Sequence, residues 1–330
     1  VNFAEQSVVG KMSLTIAEQS AVFLQWIAER KRNPAKPATV RAYAGYVRNW
    51  ITPMAGHNSL EEFNNKSMRD LVNNLVAAGL GPKTVSEIIT TTKQIVLSAM
   101  TQDGEPMYPR TWNDSFIDLP PIGKQKQPTV TKEQLKEALS SKEKHRGFYA
   151  FLAGTGLRIG EALAVRYGDD GLHTCWDPNR AVVHVRTSLW QRKEQLPKTL
   201  TAIREVNLDP RLNAMLCKVP WPAIAGTGEF LFKSRSGGPL WESSLRTYSL
   251  SKLGIKGFHA FRRYRITRLR ELGTPEDILR YWVGHAGSGI TDRYSKLSEN
   301  VQLRARWASQ AGLGFDIPEV ERQQERGENN

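Results

Sequence analysis

Three short stretches of this 330-residue sequence carry side chains suited to holding an anion and doing chemistry on it. In GTGLRIGEALAV, Arg158 follows a glycine turn and opens an apolar helix. A guanidinium there reaches a phosphate bound at the helix N-terminus, and the same position also suits a surface cap. In HAFRR, His259 and Arg262 are three residues apart, so one helical turn puts both on the same face, where they converge on one group. A helix so rich in arginine also produces this pattern by chance. In WVGHAGSGITDRYSKL, His285 follows a glycine turn and Tyr294 comes nine positions later. The histidines and cysteines show no CxxC or HExxH spacing, and HTC at 173 to 175 is an isolated pair, so neither a structural metal nor a metal cofactor is expected. AGTGLRIGE lacks the Lys-Ser/Thr of a phosphate-cradling loop, which argues against nucleotide hydrolysis.

The elements that must position these residues follow from periodicity. TIAE at Thr15 reads as a capping box, after which Val22, Phe23, Trp26 and Ile27 fall on one face. Val40, Tyr43, Val47 and Ile51 mark a second helix. SMRDLVNNLVAAGLG forms a third, stopped by Gly79 and Gly81, and KTVSEIITTTKQIVLSAM a fourth with Val85, Ile88, Ile89, Thr92, Ile95 and Val96 in register. Between about Pro109 and Pro128 the period fails, and IDLPPIGKQKQP has the composition of an exposed connector. Beyond it, Thr131 and Gln134 are in capping-box spacing, HRGFYAFLAGTGLRIGEALAV supplies two more helices, and RAVVHVRTS and REVNL read as short strands with QRKEQLPKTLTAI as the turn region between them. From Asp209 the chain is helical again and ends in a charged tail. The pattern predicts an all-helical domain over 14–112, a linker over 113–127, and a mainly α domain with a small antiparallel β-sheet (α+β) over 128–330.

Forty-six lysines and arginines against 33 acidic residues give a net charge of +13, and the pI is near 9.8. This favours a polyanionic partner, duplex DNA first, although a basic protein that binds nothing specific has the same balance. No apolar run is long enough to span a bilayer, the first residues lack a secretory signal, and the two cysteines build no disulfide framework. A cytoplasmic, nucleoid-associated protein with no membrane partner is expected.

Taken in order, G-x-R-x-x-E-x-L at Gly156 to Leu163, H-x-x-R at 259 to 262, Gly284-His285 and then Tyr294 closely resemble the tyrosine recombinases, the phage integrase family. PKTLTAIREVNL is similar to that family's β-hairpin segment, K-T followed by R-x-V-x-L, which makes Lys198 the hairpin lysine. The four N-terminal helices and LGPKTVSEI resemble its core-binding domain. The resemblance spans about Thr15 to Leu297. Ala260-Phe261 stand where the family most often has Asp-Leu, a departure that alters packing and removes no catalytic group.

The resemblance implies DNA strand breakage and rejoining through a 3′-phosphotyrosyl intermediate, with no cofactor, metal or ATP. It makes Arg158 and Arg262 the clamp on the scissile phosphate and Tyr294 the nucleophile. His259 hydrogen-bonds the phosphate and helps move protons, His285 is a second donor, Lys198 is the general acid, and Glu161 orients Arg158 or His259. Arg263, Arg265, Lys83 and Lys93 are candidate DNA contacts. The implied partners are double-stranded DNA carrying recombination sites, accessory directionality proteins, and copies of the chain itself, monomeric or weakly associated when free and tetrameric in the synapse. A mobile-element integrase is the first reading. A Xer-like chromosome dimer resolvase, a type IB topoisomerase-like nicking-closing enzyme and a catalytically decayed DNA-binding protein are alternatives. The last predicts a missing catalytic side chain, and none is missing. In ENVQLRARWASQAGLG, Val301, Leu303 and Trp307 have near-helical spacing. Such a tail docks either on a neighbouring protomer or on its own domain.

Overall fold

The computed structural model describes residues 14–124, 127–140, 142–197, 202–218, 228–285 and 297–318. The chain divides into two compact units, 1–125 and 126–330.

The first unit is helical among its described residues: α1 (Ile16–Glu29), α2 (Pro37–Tyr46) continuing through a π-type turn at Val47–Ile51 into α3 (Thr52–Ala55), α4 (Asn65–Ala77), α5 (Pro82–Leu97) and the single turn α6 (Asp114–Ile117). Thr15 and Glu18 form the reciprocal cap of α1, with the Thr15 amide donating to Glu18 at 2.8 Å. The core is built from Ile16, Phe23, Ile27, Leu71, Leu75, Val85, Ile88 and Ile95. Val22 and Trp26 depart from the sequence reading, being 56% and 51% exposed. The buried stripe of α1 runs through Ile16, Ser20, Phe23 and Ile27, and one residue's rotation of about 100° carries Val22 and Trp26 out of it. Trp26 is covered instead by the Arg30 guanidinium, 5.2 Å from the ring centroid. The stretch read as a connector also begins later than its composition suggested, because Ile117 is fully buried in this first core.

The second unit contains α7 (Lys132–Ala138), α8 (Arg146–Thr155), α9 (Ile159–Ala164), β1 (Arg166–Tyr167), β2 (Cys175–Asp177), β3 (Val182–Val185), β4 (Ser188–Trp190), β5 (Lys193–Gln195), β6 (Arg204–Asn207) and α10 (Pro210–Lys218). It continues with α11 (Glu242–Leu245), which runs into a π-type turn at Arg246–Leu250, then α12 (His259–Glu271), α13 (Glu276–Val283) and α14 (Val301–Ala311). The sheet order is β1-β2-β3-β6. β2, β3 and β6 pair antiparallel, Trp176 opposite Val183 and Val183 opposite Val206, whereas β1 joins β2 in parallel. The two strands read from RAVVHVRTS and REVNL are β3 and β6, neighbours in this sheet. β4 and β5 form a separate antiparallel pair, so part of the expected turn region is itself strand. All of β3 is buried, as are Phe148 to Thr155 of α8.

α12 packs on α8, where Phe261 stacks on Tyr149 with ring centroids 5.4 Å apart and Tyr149 Oη lies 2.6 Å from Ser249 Oγ. α14 packs on its own unit, placing Ala308, Ala311 and the following Leu313 in the same core. Its buried stripe contains Arg304, while Leu303 and Trp307 lie only partly covered at its margin. No described helix is long and apolar enough to cross a membrane.

Candidate active site

The site is assembled where the start of α9, the end of α13, the start of α12 and the first residue of β6 meet. α8 ends at Gly156, whose φ of +67° suits glycine, and two residues later Arg158 is the N-cap of α9. Glu161, one turn into α9, accepts from the Arg158 backbone N–H at 3.0 Å and from its guanidinium at 2.9 Å. The same carboxylate receives Arg204 Nη2 at 2.9 Å and Nη1 at 3.3 Å. Glu161 is 2% exposed. Burial alone would raise its pKa, but the charge and hydrogen bonds of Arg204, followed by those of Arg158, outweigh this and hold it below the ordinary value.

Three consecutive carbonyls at the end of α13 accept from three different arginines. Arg204 Nε donates to Trp282 O at 2.6 Å, Arg262 Nη2 to Val283 O, and Arg158 Nη2 to Gly284 O at 3.4 Å. These groups lack partners within their own helix, and the negative end of the helix dipole favours the cations. Gly284 adopts φ +62°, and a Cβ there would come within 3.0–3.2 Å of the Arg204 guanidinium. Both its conformation and the closeness of the arginine therefore call for glycine.

Arg262 also donates to Gly156 O at 2.9 Å and lies 3.2 Å from His285 Nε2 through Nη2. A guanidinium only donates, so His285 Nε2 is the acceptor and its ring proton sits on Nδ1. Arg262 is 1% exposed. Burial, followed by the charges of Arg158 and Arg204, pushes its pKa down to about 10. His259 and His285 remain at the surface. Partial burial first, then Arg262 and further nearby cations, lower both imidazoles below the usual histidine value, so both are neutral at pH 7. Arg158 and Arg204 share the single Glu161 carboxylate, and Arg262 nearby has no carboxylate partner among its hydrogen bonds to the described residues, which leaves an excess of positive charge. Arg158, whose side chain is 41% exposed, brings that charge to the surface. The arrangement is a positively charged cluster with two imidazoles at its rim, chemistry that suits an anion.

The structure thus brings together Arg158, Glu161, Arg262 and His285 through hydrogen bonds, with His259 within their electrostatic reach. Lys198 and Tyr294 lie outside the described residues. Arg204 is the residue that the sequence reading left without a role. Its signal was the arginine of R-x-V-x-L, the first residue of β6.

The candidate DNA contacts fare differently. Arg265 is a correction: it is 3% exposed and gives its guanidinium to Gly312 O at 2.5 Å, so it presents no surface to a nucleic acid. Burial pushes its pKa down to about 10. Arg263 is half-buried and donates to Pro128 O at 2.8 Å. In the first unit, Lys93 is held by Asp114 at 2.5 Å with 22% of its side chain exposed, whereas Lys83 is open, 4.0 Å from Glu87. Among the described residues no group of three or more His, Cys, Asp or Glu side chains could hold a metal ion.

The phage integrase family model matches residues 128–300. The tyrosine recombinase XerC-like protein of Caldanaerobacter subterraneus subsp. tengcongensis is 26% identical over 301 residues, covering 81% of this chain and 75% of that protein. Among solved structures, the Tn1549 transposon integrase in complex with a circular intermediate DNA is similar with a TM-score of 0.64 at 21% identity, over 88% of this chain and 99% of the other. A lambda integrase tetramer bound to a Holliday junction gives a TM-score of 0.60 at 15% identity, over 84% and 79%. These structural likenesses concern the fold, whereas the family match covers more than half of the chain. The chain belongs to the phage integrase family and is a tyrosine recombinase.

Proposed function

We propose that the protein is a site-specific recombinase of a mobile element, cutting and rejoining duplex DNA through Tyr294. The observation that carries this is the cluster of Arg158, Arg204 and Arg262 around Glu161, with neutral His259 and His285 at its open edge. Phosphoryl transfer needs fixed positive charge on the non-bridging oxygens, an activated nucleophile and an acid for the leaving alkoxide. Arg158 reaches the phosphate from the open side. Arg262 and Arg204 lie beneath it, and their charge acts from a buried, water-poor wall where it is weakly screened. Glu161 fixes the orientation of Arg158 and balances Arg204. The two imidazoles hydrogen-bond the phosphate oxygens and exchange protons with them.

In the cleavage step the Tyr294 hydroxyl gives its proton to the neutral His259 imidazole as its oxygen bonds to phosphorus, the bond from phosphorus to the 5′-oxygen breaks, and Lys198 gives that oxygen a proton. The phosphotyrosine keeps the energy of the cut bond, so a second 5′-hydroxyl reseals the backbone by the reverse displacement without ATP. The helical unit 14–112 serves as the core-binding domain, and Lys83 is its open basic contact. The lambda integrase tetramer on a Holliday junction supports four protomers in the synapse. A cytoplasmic, nucleoid-associated setting follows from that substrate. The XerC-like relative favours a second reading, a chromosome dimer resolvase.

The experiment is incubation with supercoiled plasmid carrying the DNA that flanks the gene, in EDTA and without ATP, followed by denaturation. A strand covalently attached to protein through its 3′ end, with a free 5′-hydroxyl opposite, is the expected product. Cleavage only with an added divalent cation, or with a free 3′-hydroxyl, would overturn the proposal.

A further inference from the structure

The network that holds the site continues past it to one buried arginine in α14. Arg304 is fully buried. Its Nη1 donates to Leu297 O and, at 2.8 Å, to Ser298 O; its Nη2 pairs with Glu205, and its Nε donates to Asn207 Oδ1 at 3.1 Å. The guanidinium also lies 4.9 Å from the ring centroid of Tyr281. Glu205 and Asn207 belong to β6, the strand whose first residue, Arg204, reaches Glu161 and Trp282 O. Asn207 Oδ1 takes a second hydrogen bond from Trp282 Nε1 at 3.4 Å, and the Tyr281 hydroxyl accepts the Glu205 amide at 3.2 Å. One short strand therefore anchors the arginine cluster at one end and Arg304 at the other.

The two carbonyls that Arg304 holds are those of residues three and four positions after Tyr294. Three residues span at most about 10 Å even when fully extended. Leu297, within that reach of Tyr294 along the chain, is thus tied through Arg304 to the strand whose first residue reaches Glu161. The other side of the intervening stretch is held at Val283 and Gly284 by Arg262 and Arg158. A buried arginine is a costly way to fill space, because its charge must be paired and its donors satisfied. Here its donors meet the backbone that follows the nucleophile.

We infer that Arg304 is a positioning residue for catalysis: it sets where Tyr294 stands relative to the arginine cluster and takes no part in binding the phosphate. This rests on Tyr294 being the nucleophile. An error of about 1 Å in placing a nucleophile costs on the order of a hundredfold in rate, whereas a step that does not use Tyr294 should be indifferent to Arg304.

Two single-turnover reactions on the site found by the plasmid assay separate these cases. Cleavage is read as formation of the covalent adduct. Joining is read on a strand ending in a 3′-p-nitrophenyl phosphate, where a 5′-hydroxyl attacks phosphorus and p-nitrophenolate leaves, so the arginines work without Tyr294. Arg304→Met should slow cleavage on the order of a hundredfold while joining and DNA affinity stay within about twofold of the unaltered protein. Arg304→Lys and Glu205→Gln should show the same split more weakly, and they carry the test if Arg304→Met does not fold. Equal slowing of cleavage and joining would overturn the inference, because Arg304 would then be maintaining the arginine cluster itself. Unchanged cleavage would overturn it too. Tyr294→Phe should lose cleavage and keep joining. Adduct formation by that variant would instead remove the assignment of the nucleophile, a failure separate from that of Arg304.

Discussion

Glu161→Gln is the sharpest probe of the frame that holds the site. The side chain keeps its shape and loses its charge, leaving Arg204, whose side chain is 1% exposed, without a counter-ion. Removing one partner of a buried ion pair costs about 3–5 kcal/mol. The second pair, to a 41% exposed Arg158, adds less than about 1 kcal/mol. A loss of about 4 kcal/mol in a unit of this size lowers the melting temperature by roughly 8–16 °C, read by calorimetry on the whole chain. Replacing both partners with apolar residues, Glu161→Leu with Arg204→Met, should recover most of that loss, since a buried pair contributes little beyond its own desolvation. The acid side supplies a second reading. The folded pKa of Glu161 lies below the ordinary 4.5, so its contribution is present above that value and disappears as pH falls through the lowered one. Glu161→Gln should accordingly be less stable than the unaltered protein at pH 6 and approach it under strongly acid conditions. A melting temperature unchanged at pH 6 would refute the argument that Glu161 compensates the buried arginine.

Two further outcomes follow from the same geometry. His259 and His285 have lowered pKa values in the free protein, and an arriving phosphate favours their charged forms. DNA binding should therefore take up protons and tighten as pH falls below about 7, measured as affinity against pH; a His259→Gln, His285→Gln double variant that retains the same slope would contradict this. If Lys198 is the general acid, Lys198→Ala should be slow on ordinary DNA and recover most cleavage when the 5′-bridging oxygen is replaced by sulfur, whose thiolate leaves without a proton. Arg262→Ala should stay slow on both substrates, and a Lys198→Ala defect that persists with sulfur would assign the lysine to positioning.

What could be read from the sequence was whatever helix geometry places together locally. Arg158 and Glu161, and His259 and Arg262, are each one turn apart, and their proximity needs only the helix. Gly156 and Gly284 punctuated the helices they end. Arg204 was missed because its partners Glu161 and Trp282 lie far away along the chain and meet it only once β6 is laid against α9 and α13. Arg265 was misread as surface because arginine density was weighed above period. It stands one turn beyond Arg262 and one before Leu269, on the buried stripe of α12. The spacing of Val301, Leu303 and Trp307 marked the tail helix, and Leu303 and Trp307 do lie at the core's margin, but the face that α14 buries most deeply is Arg304, Ala308 and Ala311, a stripe of small residues and one charge that a search for hydrophobic spacing passes over. The β4–β5 pair escaped because its second strand, Lys193–Gln195, is wholly polar and mostly exposed, with none of the alternation that marks a half-buried strand.

The chain contains nine tyrosines, so the most direct test of the central claim is to learn which of them becomes attached to DNA. The covalent adduct is trapped on the nicked site, the DNA is trimmed by nuclease, and the protein is digested for mass spectrometry. The account predicts a nucleotide 3′-phosphate on the peptide containing Tyr294 and no other, and no adduct from Tyr294→Phe. A nucleotide on any other residue, or an adduct that survives Tyr294→Phe, would contradict it.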